Sequence, residues 1–199
     1  VTLLVTIPCA VGLSVLGKPI ISLLWPDDNS LAAKMLLFGT LSIVFYALST
    51  LGNGILQGIN KLHIPIINAL IALVLHLVIY FIMLKGMDLD IFAVIYANIF
   101  FSLIMCLLNH FAIYRYIGYH QEFKRTFFLP IVCSALMGAI CFGVYHLTRL
   151  FAPDNISCII AIIIAVIVYF IAMILLKGCT KAELSAIPVF GKFLAKLLR

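Results

Sequence analysis

The chain has 199 residues, of which 65% are apolar and 10% are charged, and its formal net charge at pH 7 is +6. Soluble domains are about 45–50% apolar and about 25% charged, so this chain has too few polar side chains to cover a water-soluble globule. The composition excludes intrinsic disorder, a coiled coil, a collagen-like fibre and a disulfide-rich secreted fold, and it indicates an integral membrane protein.

Six segments without Asp, Glu, Lys or Arg occupy residues 1–17, 35–60, 62–84, 91–114, 126–148 and 155–176. The last five are 22 to 26 residues long, and a membrane-spanning helix needs about 20. Strands of a membrane β-barrel alternate apolar and polar residues, which these segments do not do. We therefore predict an all-α membrane protein with six transmembrane helices, at about residues 1–25, 31–57, 62–84, 91–113, 126–148 and 155–176.

The first predicted helix, at about residues 1–25, contains two prolines and a lysine. Pro8 and Pro19 each remove a helical hydrogen bond and favour a kink. Lys18 lies about 10 Å inside the outer boundary of the membrane, from the helical rise per residue. It either extends to the lipid headgroups or faces a hydrated cavity, where it would meet an anionic group of a cargo. Because the chain begins at Val1 inside an apolar stretch, we interpret it as a fragment that lacks its amino-terminal part.

Polar side chains inside the second and third segments are, together with Lys18, the candidate substrate or cavity residues: Asn53, Gln57, Asn60, Asn68 and His76. The first three are spaced four and three residues apart, which places them on one helix face. Hydrogen bonds between helices, worth about 0.6 kcal/mol each, would explain these residues equally well. His76 lies near the middle of its helix and is also a candidate for proton coupling or cargo contact.

Glycines and prolines in the first three segments are candidate hinges or close-packing positions. They are Pro8, Pro19, Gly52, Gly54, Gly58 and Pro65. Glycine in membrane helices serves close packing as well as bending, so both interpretations stay open at this point.

The basic residues are distributed unevenly between the two sides of the membrane. Nine of the thirteen Lys and Arg residues fall in the turn at 58–63, the loop at 115–125 and the tail from residue 177. The positive-inside rule places these connections and the carboxyl terminus in the cytoplasm. The basic side would then meet anionic lipid headgroups, and this one-sided charge argues against a nucleic-acid partner.

Residues 178–199 are predicted to form a cytoplasmic amphipathic tail. Lys192, Lys196 and Arg199 fall opposite an apolar face, which is typical of a helix that lies in the membrane interface. A helix that packs against the cytoplasmic end of the bundle is the alternative.

The sequence lacks the motifs of several common enzyme classes. The five histidines do not occur in His-Glu-x-x-His, and the chain contains no Gly-rich phosphate loop and no Gly-x-Ser-x-Gly. We therefore predict no catalytic residue, no metal site and no cofactor, and we do not expect an enzyme.

The sequence Leu-Gln-Gly-Ile-Asn-Lys at 56–61, preceded by Phe-Tyr-Ala-Leu-Ser-Thr at 45–50 and followed by Pro65 and Asn68, carries a family resemblance. It resembles the carboxy-terminal region of the stage V sporulation protein B family, which are polysaccharide-biosynthesis membrane proteins. They belong to the multidrug/oligosaccharidyl-lipid/polysaccharide exporter superfamily, which includes lipid II flippases.

The resemblance implies a parent protein of about fourteen spans, in which two lobes alternate access. It implies that residues 1–113 belong to the second lobe and that residues 126–177 form a terminal hairpin. The implied function is translocation of a lipid-linked oligosaccharide or peptidoglycan precursor across the bacterial cytoplasmic membrane. Its implied partners are membrane lipids, the lipid-linked saccharide and the missing amino-terminal lobe.

Two other functions remain open. One is a drug or cation antiporter of the same superfamily, which would carry an ion-coupling carboxylate in the missing part. The other is a membrane scaffold for cell-wall synthesis that transports nothing, and it would tolerate substitution of Lys18, Asn53 and Gln57.

Overall fold

The computed structural model describes residues 2–25, 30–86, 90–118 and 127–176. Within these ranges the chain forms six α-helices and no β-strand, and each helix is long and apolar enough to cross a membrane. They are α1 (Thr2–Leu24), α2 (Ser30–Gly58), α3 (His63–Gly86), α4 (Phe92–Ile117), α5 (Leu129–Thr148) and α6 (Asp154–Leu175). The predicted all-α membrane fold is confirmed. The tail at 178–199, with Lys192, Lys196 and Arg199, lies outside the described residues.

The turn between α2 and α3 is built by backbone hydrogen bonds around a left-handed residue. Asn60 has a φ of 60°, and its N–H donates to the carbonyl of Gln57 at 2.9 Å. The N–H of Lys61 donates to the carbonyl of Leu56 at 2.9 Å. These two bonds form a Schellman motif, which ends a helix by satisfying its last carbonyls. Asn60 therefore lies beyond the helix, which ends at Gly58.

The fourth helix extends beyond its predicted end at residue 113 and stops at Ile117. Gly118 follows with a φ of 68°, and its N–H donates to the carbonyl of Tyr114 at 2.9 Å. Glycine adopts this left-handed conformation without a steric cost. Arg115 consequently lies in the last turn of α4, where a cation is favourable next to the helix dipole.

The six described helices divide into two compact units. Unit 1 contains α1, α5 and α6, and unit 2 contains α2, α3 and α4. Within unit 1, the first helix therefore packs with the last two. The assignment of residues 1–113 and 126–177 to a lobe and a hairpin concerns the intact transporter, and it stays a prediction.

In unit 1, α5 and α6 pack through small side chains. Cys133 and Cys141 on α5, and Cys158, Ala161 and Ala165 on α6, are at most 6% exposed. Small side chains let helix backbones approach closely, and such packing drives association in lipid, where apolar burial provides no net gain. The cysteines act here as small apolar residues.

The packing of α1 against α5 depends on a glycine. A Cβ atom on Gly138 would lie 2.8 Å from Cγ1 of Val11 and 3.5 Å from Cγ2 of Val15. A larger residue at position 138 would therefore force the Val11 side chain or the helices themselves to shift. Pro8 and Pro19 are both buried along α1.

In unit 2, α4 packs against both α2 and α3. The helix α3 buries Pro65, Asn68 and Ala72, whereas Ile66 and Leu70 are 69% and 62% exposed. Exposed apolar side chains on this scale would be unstable in water but are expected where a helix contacts hydrocarbon. The outward face of α3 is therefore suited to contact with lipid or with other membrane helices.

Candidate functional site

An apolar groove of about 440 Å³ lies between the three helices of unit 1. Its volume falls within the range of about 300–1,000 Å³ that is typical of ligand pockets. The lining residues include Leu4, Pro8, Gly12 and Leu16 of α1, Met137 of α5, and Ala165, Tyr169 and Met173 of α6. Because burying an unpaired polar group is costly, such a lining favours hydrocarbon and disfavours sugar or phosphate.

A hydrogen bond between α6 and α1 lies in the wall of this groove. The hydroxyl of Tyr169 donates to the backbone carbonyl of Leu4 at 2.7 Å, and Tyr169 is 5% exposed. Sequence reasoning did not single out Tyr169. The available signal was a hydroxyl-bearing side chain within a segment made almost entirely of Ile, Val, Ala and Leu.

In unit 2, four polar residues form a cluster that joins all three helices. We call Ser49 and Asn53 of α2, Asn68 of α3 and Asn109 of α4 the amide cluster. Nδ2 of Asn68 donates to Oδ1 of Asn109 at 3.0 Å. Nδ2 of Asn109 donates to Oδ1 of Asn53 at 2.8 Å and lies 3.1 Å from the carbonyl and 3.3 Å from the hydroxyl of Ser49. Asn109 is therefore the centre of the cluster.

Three of the four residues of the amide cluster are buried, and the cluster is closely packed. Asn109 is 1% exposed, Ser49 3% and Asn68 8%. Gly52 makes room for it, because a Cβ atom there would lie 3.0 Å from Cβ of Asn109. Two of the predicted candidates, Asn53 and Asn68, thus meet at Asn109, which was not among them. A polar residue within an apolar span was the signal for Asn109, but its partners could not be read from it.

His76 bonds α3 to α4 at a second position. Its Nδ1 lies 3.0 Å from the carbonyl of Ala97, and its ring packs edge-on against Phe101 with 5.6 Å between ring centroids. Because a carbonyl oxygen only accepts hydrogen bonds, Nδ1 must carry the proton. In the neutral imidazole Nε2 is then the acceptor nitrogen.

The remaining candidates do not join these sites. Lys18 is exposed and lies on a different side of α1 from the groove-lining residues. Gln57 lies one helical turn after Asn53 on α2 but is exposed. Asn60 lies beyond the end of that helix, so it does not share their face. A Cβ atom on Gly54 would meet no atom within 4 Å. Among the described residues, no group of three or more His, Cys, Asp or Glu side chains is arranged to hold a metal ion.

Comparison with known proteins gives two matches. The MatE family model matches residues 1–82. The chain is also 31% identical over 141 residues to the lipid II flippase MurJ of Bacillus subtilis (strain 168), and this region covers 68% of the chain and 25% of that protein. The chain therefore spans about a quarter of the length of the curated relative that it matches. No solved structure matches the chain significantly.

Proposed function

This chain belongs to a family of lipid II flippase-like membrane proteins, and from this premise we propose that it helps to move a lipid-linked oligosaccharide or peptidoglycan precursor across the bacterial cytoplasmic membrane. The two matches confirm the resemblance drawn from the sequence. Proteins of this type are multi-pass membrane transporters and not enzymes, so the activity to explain is translocation without bond making.

The apolar groove of unit 1 is the observation that supports a lipid-linked cargo. A flippase must pass a polar headgroup through a hydrated path while the hydrocarbon chain stays in an apolar environment. The groove provides a surface for such a chain along three membrane-spanning helices. We propose that the hydrocarbon chain of the cargo lies there, and that alternating access of the two lobes moves the headgroup.

The proposed topology places the carboxyl terminus in the cytoplasm. It rests on the nine basic residues that the sequence assigns to one side and on the positive-inside rule. In the intact protein, the six helices would be the ninth to fourteenth spans, next to the amino-terminal lobe. If a membrane-impermeant maleimide labelled an engineered cysteine after Arg199 in intact cells, the carboxyl terminus would be outside. That result would contradict the proposed topology.

Two glycines allow a matched test of the groove. A Cβ atom on Gly12 or on Gly39 would meet nothing within 4 Å, but only Gly12 lines the groove. Gly12→Leu would therefore occupy groove space, while Gly39→Leu adds the same side chain elsewhere. Each variant of the intact protein is expressed in cells depleted of the natural protein, and lipid-linked precursors on the inner leaflet are quantified.

We expect the precursor to accumulate in cells that depend on Gly12→Leu but not in those with Gly39→Leu. If depletion of the protein causes no accumulation and cells instead become sensitive to drugs, the antiporter is the better function. If both variants complement fully, the groove does not hold the cargo.

A further inference from the structure

The first helix has a gap in its hydrogen-bond ladder near the beginning of the groove. In an α-helix the N–H of each residue donates to the carbonyl four residues earlier. Proline has no N–H, so Pro8 leaves the carbonyl of Leu4 without its helical donor. Within a bilayer no water replaces that donor, and an unsatisfied backbone group there is costly.

The hydroxyl of Tyr169 takes the place of the missing donor. It lies 2.7 Å from the Leu4 oxygen, which is the usual distance for an O–H···O bond. Pro8 and Tyr169 are both buried, and both line the groove together with Leu4. The bond therefore connects α6 to α1 at the point where α1 departs from regular helical bonding.

We propose that Tyr169 is a positioning residue, which holds the proline-containing part of α1 against α6 and thereby sets the shape of the groove for a hydrocarbon chain. This inference rests on the proposed function, because it assumes that the groove holds such a chain. Tyr169 and Pro8 then depend on each other: the Tyr169 hydroxyl is needed only because Pro8 leaves the Leu4 carbonyl unpaired.

The test combines a double-mutant cycle with labelling by a lipid probe. The variants of the intact protein are Tyr169→Phe, Pro8→Ala and the double variant. Tyr145→Phe is the control, since Tyr145 is a buried tyrosine of the same unit at 8% exposure and does not line the groove. Thermal unfolding is measured in detergent. The probe is a polyprenyl phosphate with a diazirine in its hydrocarbon chain, and labelled peptides are identified by mass spectrometry in vesicles.

We expect Tyr169→Phe to lower the melting temperature more than Tyr145→Phe does. Pro8→Ala should remove most of that loss, because alanine restores an N–H for the Leu4 carbonyl. Labelling of α1 and α6 peptides should fall about threefold in Tyr169→Phe, the change that loss of one interhelical hydrogen bond in lipid produces. Labelling should stay low in the double variant, where the carbonyl is satisfied but the shape of α1 is altered.

The inference is overturned if Pro8→Ala does not reduce the effect of Tyr169→Phe, or if Tyr169→Phe is labelled as strongly as the unmutated protein. Failure of the proposed function gives a different result. In that case the unmutated protein itself is not labelled on α1 or α6, and the positioning role is lost together with the lipid site.

Discussion

Replacement of Gly52 by alanine tests whether this glycine serves packing or bending. The added Cβ would stand 3.0 Å from Cβ of Asn109, whereas carbon atoms in contact remain about 3.5–4.0 Å apart. The helices α2 and α4 would have to separate by about 0.5–1 Å. That movement stretches the 2.8 Å bond from Asn109 to Asn53 beyond the usual limit of about 3.2 Å.

The expected cost follows from three contributions. Overpacking costs about 1–3 kcal/mol, and each interhelical hydrogen bond lost adds about 0.6 kcal/mol. Alanine offsets about 0.5–1 kcal/mol of this, because it is the better helix former. We therefore expect Gly52→Ala to lower the free energy of unfolding by about 2 kcal/mol. Gly54→Ala is the matched control, since its Cβ would meet nothing within 4 Å.

The free energy of unfolding is measured by titrating the purified protein with sodium dodecyl sulfate in mixed micelles, with helical circular dichroism as the signal. Equal stability of Gly52→Ala and Gly54→Ala would refute the packing argument. A variant that is stable but fails to transport would instead assign Gly52 to bending.

Three further predictions use the same unfolding assay. Asn60→Ala should cost about 1 kcal/mol, because asparagine tolerates the left-handed conformation through local hydrogen bonds of its side chain that alanine lacks, whereas Asn60→Gly should be tolerated; equal losses would contradict the role of Asn60 in ending α2. His76→Phe should cost about 0.6 kcal/mol, the typical value of one interhelical bond in lipid, and a loss several times larger would indicate a role beyond the bond to Ala97. Arg149→Ala should change stability by less than about 0.5 kcal/mol, because the Arg149 and Asp154 side chains pair at 2.8 Å but are 56% and 46% exposed; a large loss would show that this pair is not solvent-screened.

The sequence predicted the number and approximate bounds of the helices because hydropathy and length are summed along a segment. The end of α4 differed from its predicted bound, and Asn60 did not lie on the predicted polar face of α2. The charged Arg115 lowers the hydropathy after residue 113, but α4 continues to Ile117 and is followed by the left-handed Gly118. In the same way Asn60 resembles a continuation of the α2 polar face until its φ of 60° is known.

The site was less accessible to sequence reasoning. Helices that contact lipid are apolar on every side, so their pattern does not reveal which side meets a neighbour. Asn53 and Asn68 were recognised as unusual polar residues, but their common partner Asn109 follows from packing alone. The bond between Tyr169 and Leu4 joins residues 165 positions apart, and local patterns hold no information about such a pair.

That separation also has a consequence for how the protein is made. Ribosomes add about 5–20 residues per second, so the partner of the Leu4 carbonyl is synthesised about 10–30 s after Leu4 itself. Until then the beginning of α1 is an incomplete membrane segment that needs water or another temporary donor. Truncation before Tyr169 would therefore leave α1 without the hydrogen bond that satisfies the Leu4 carbonyl.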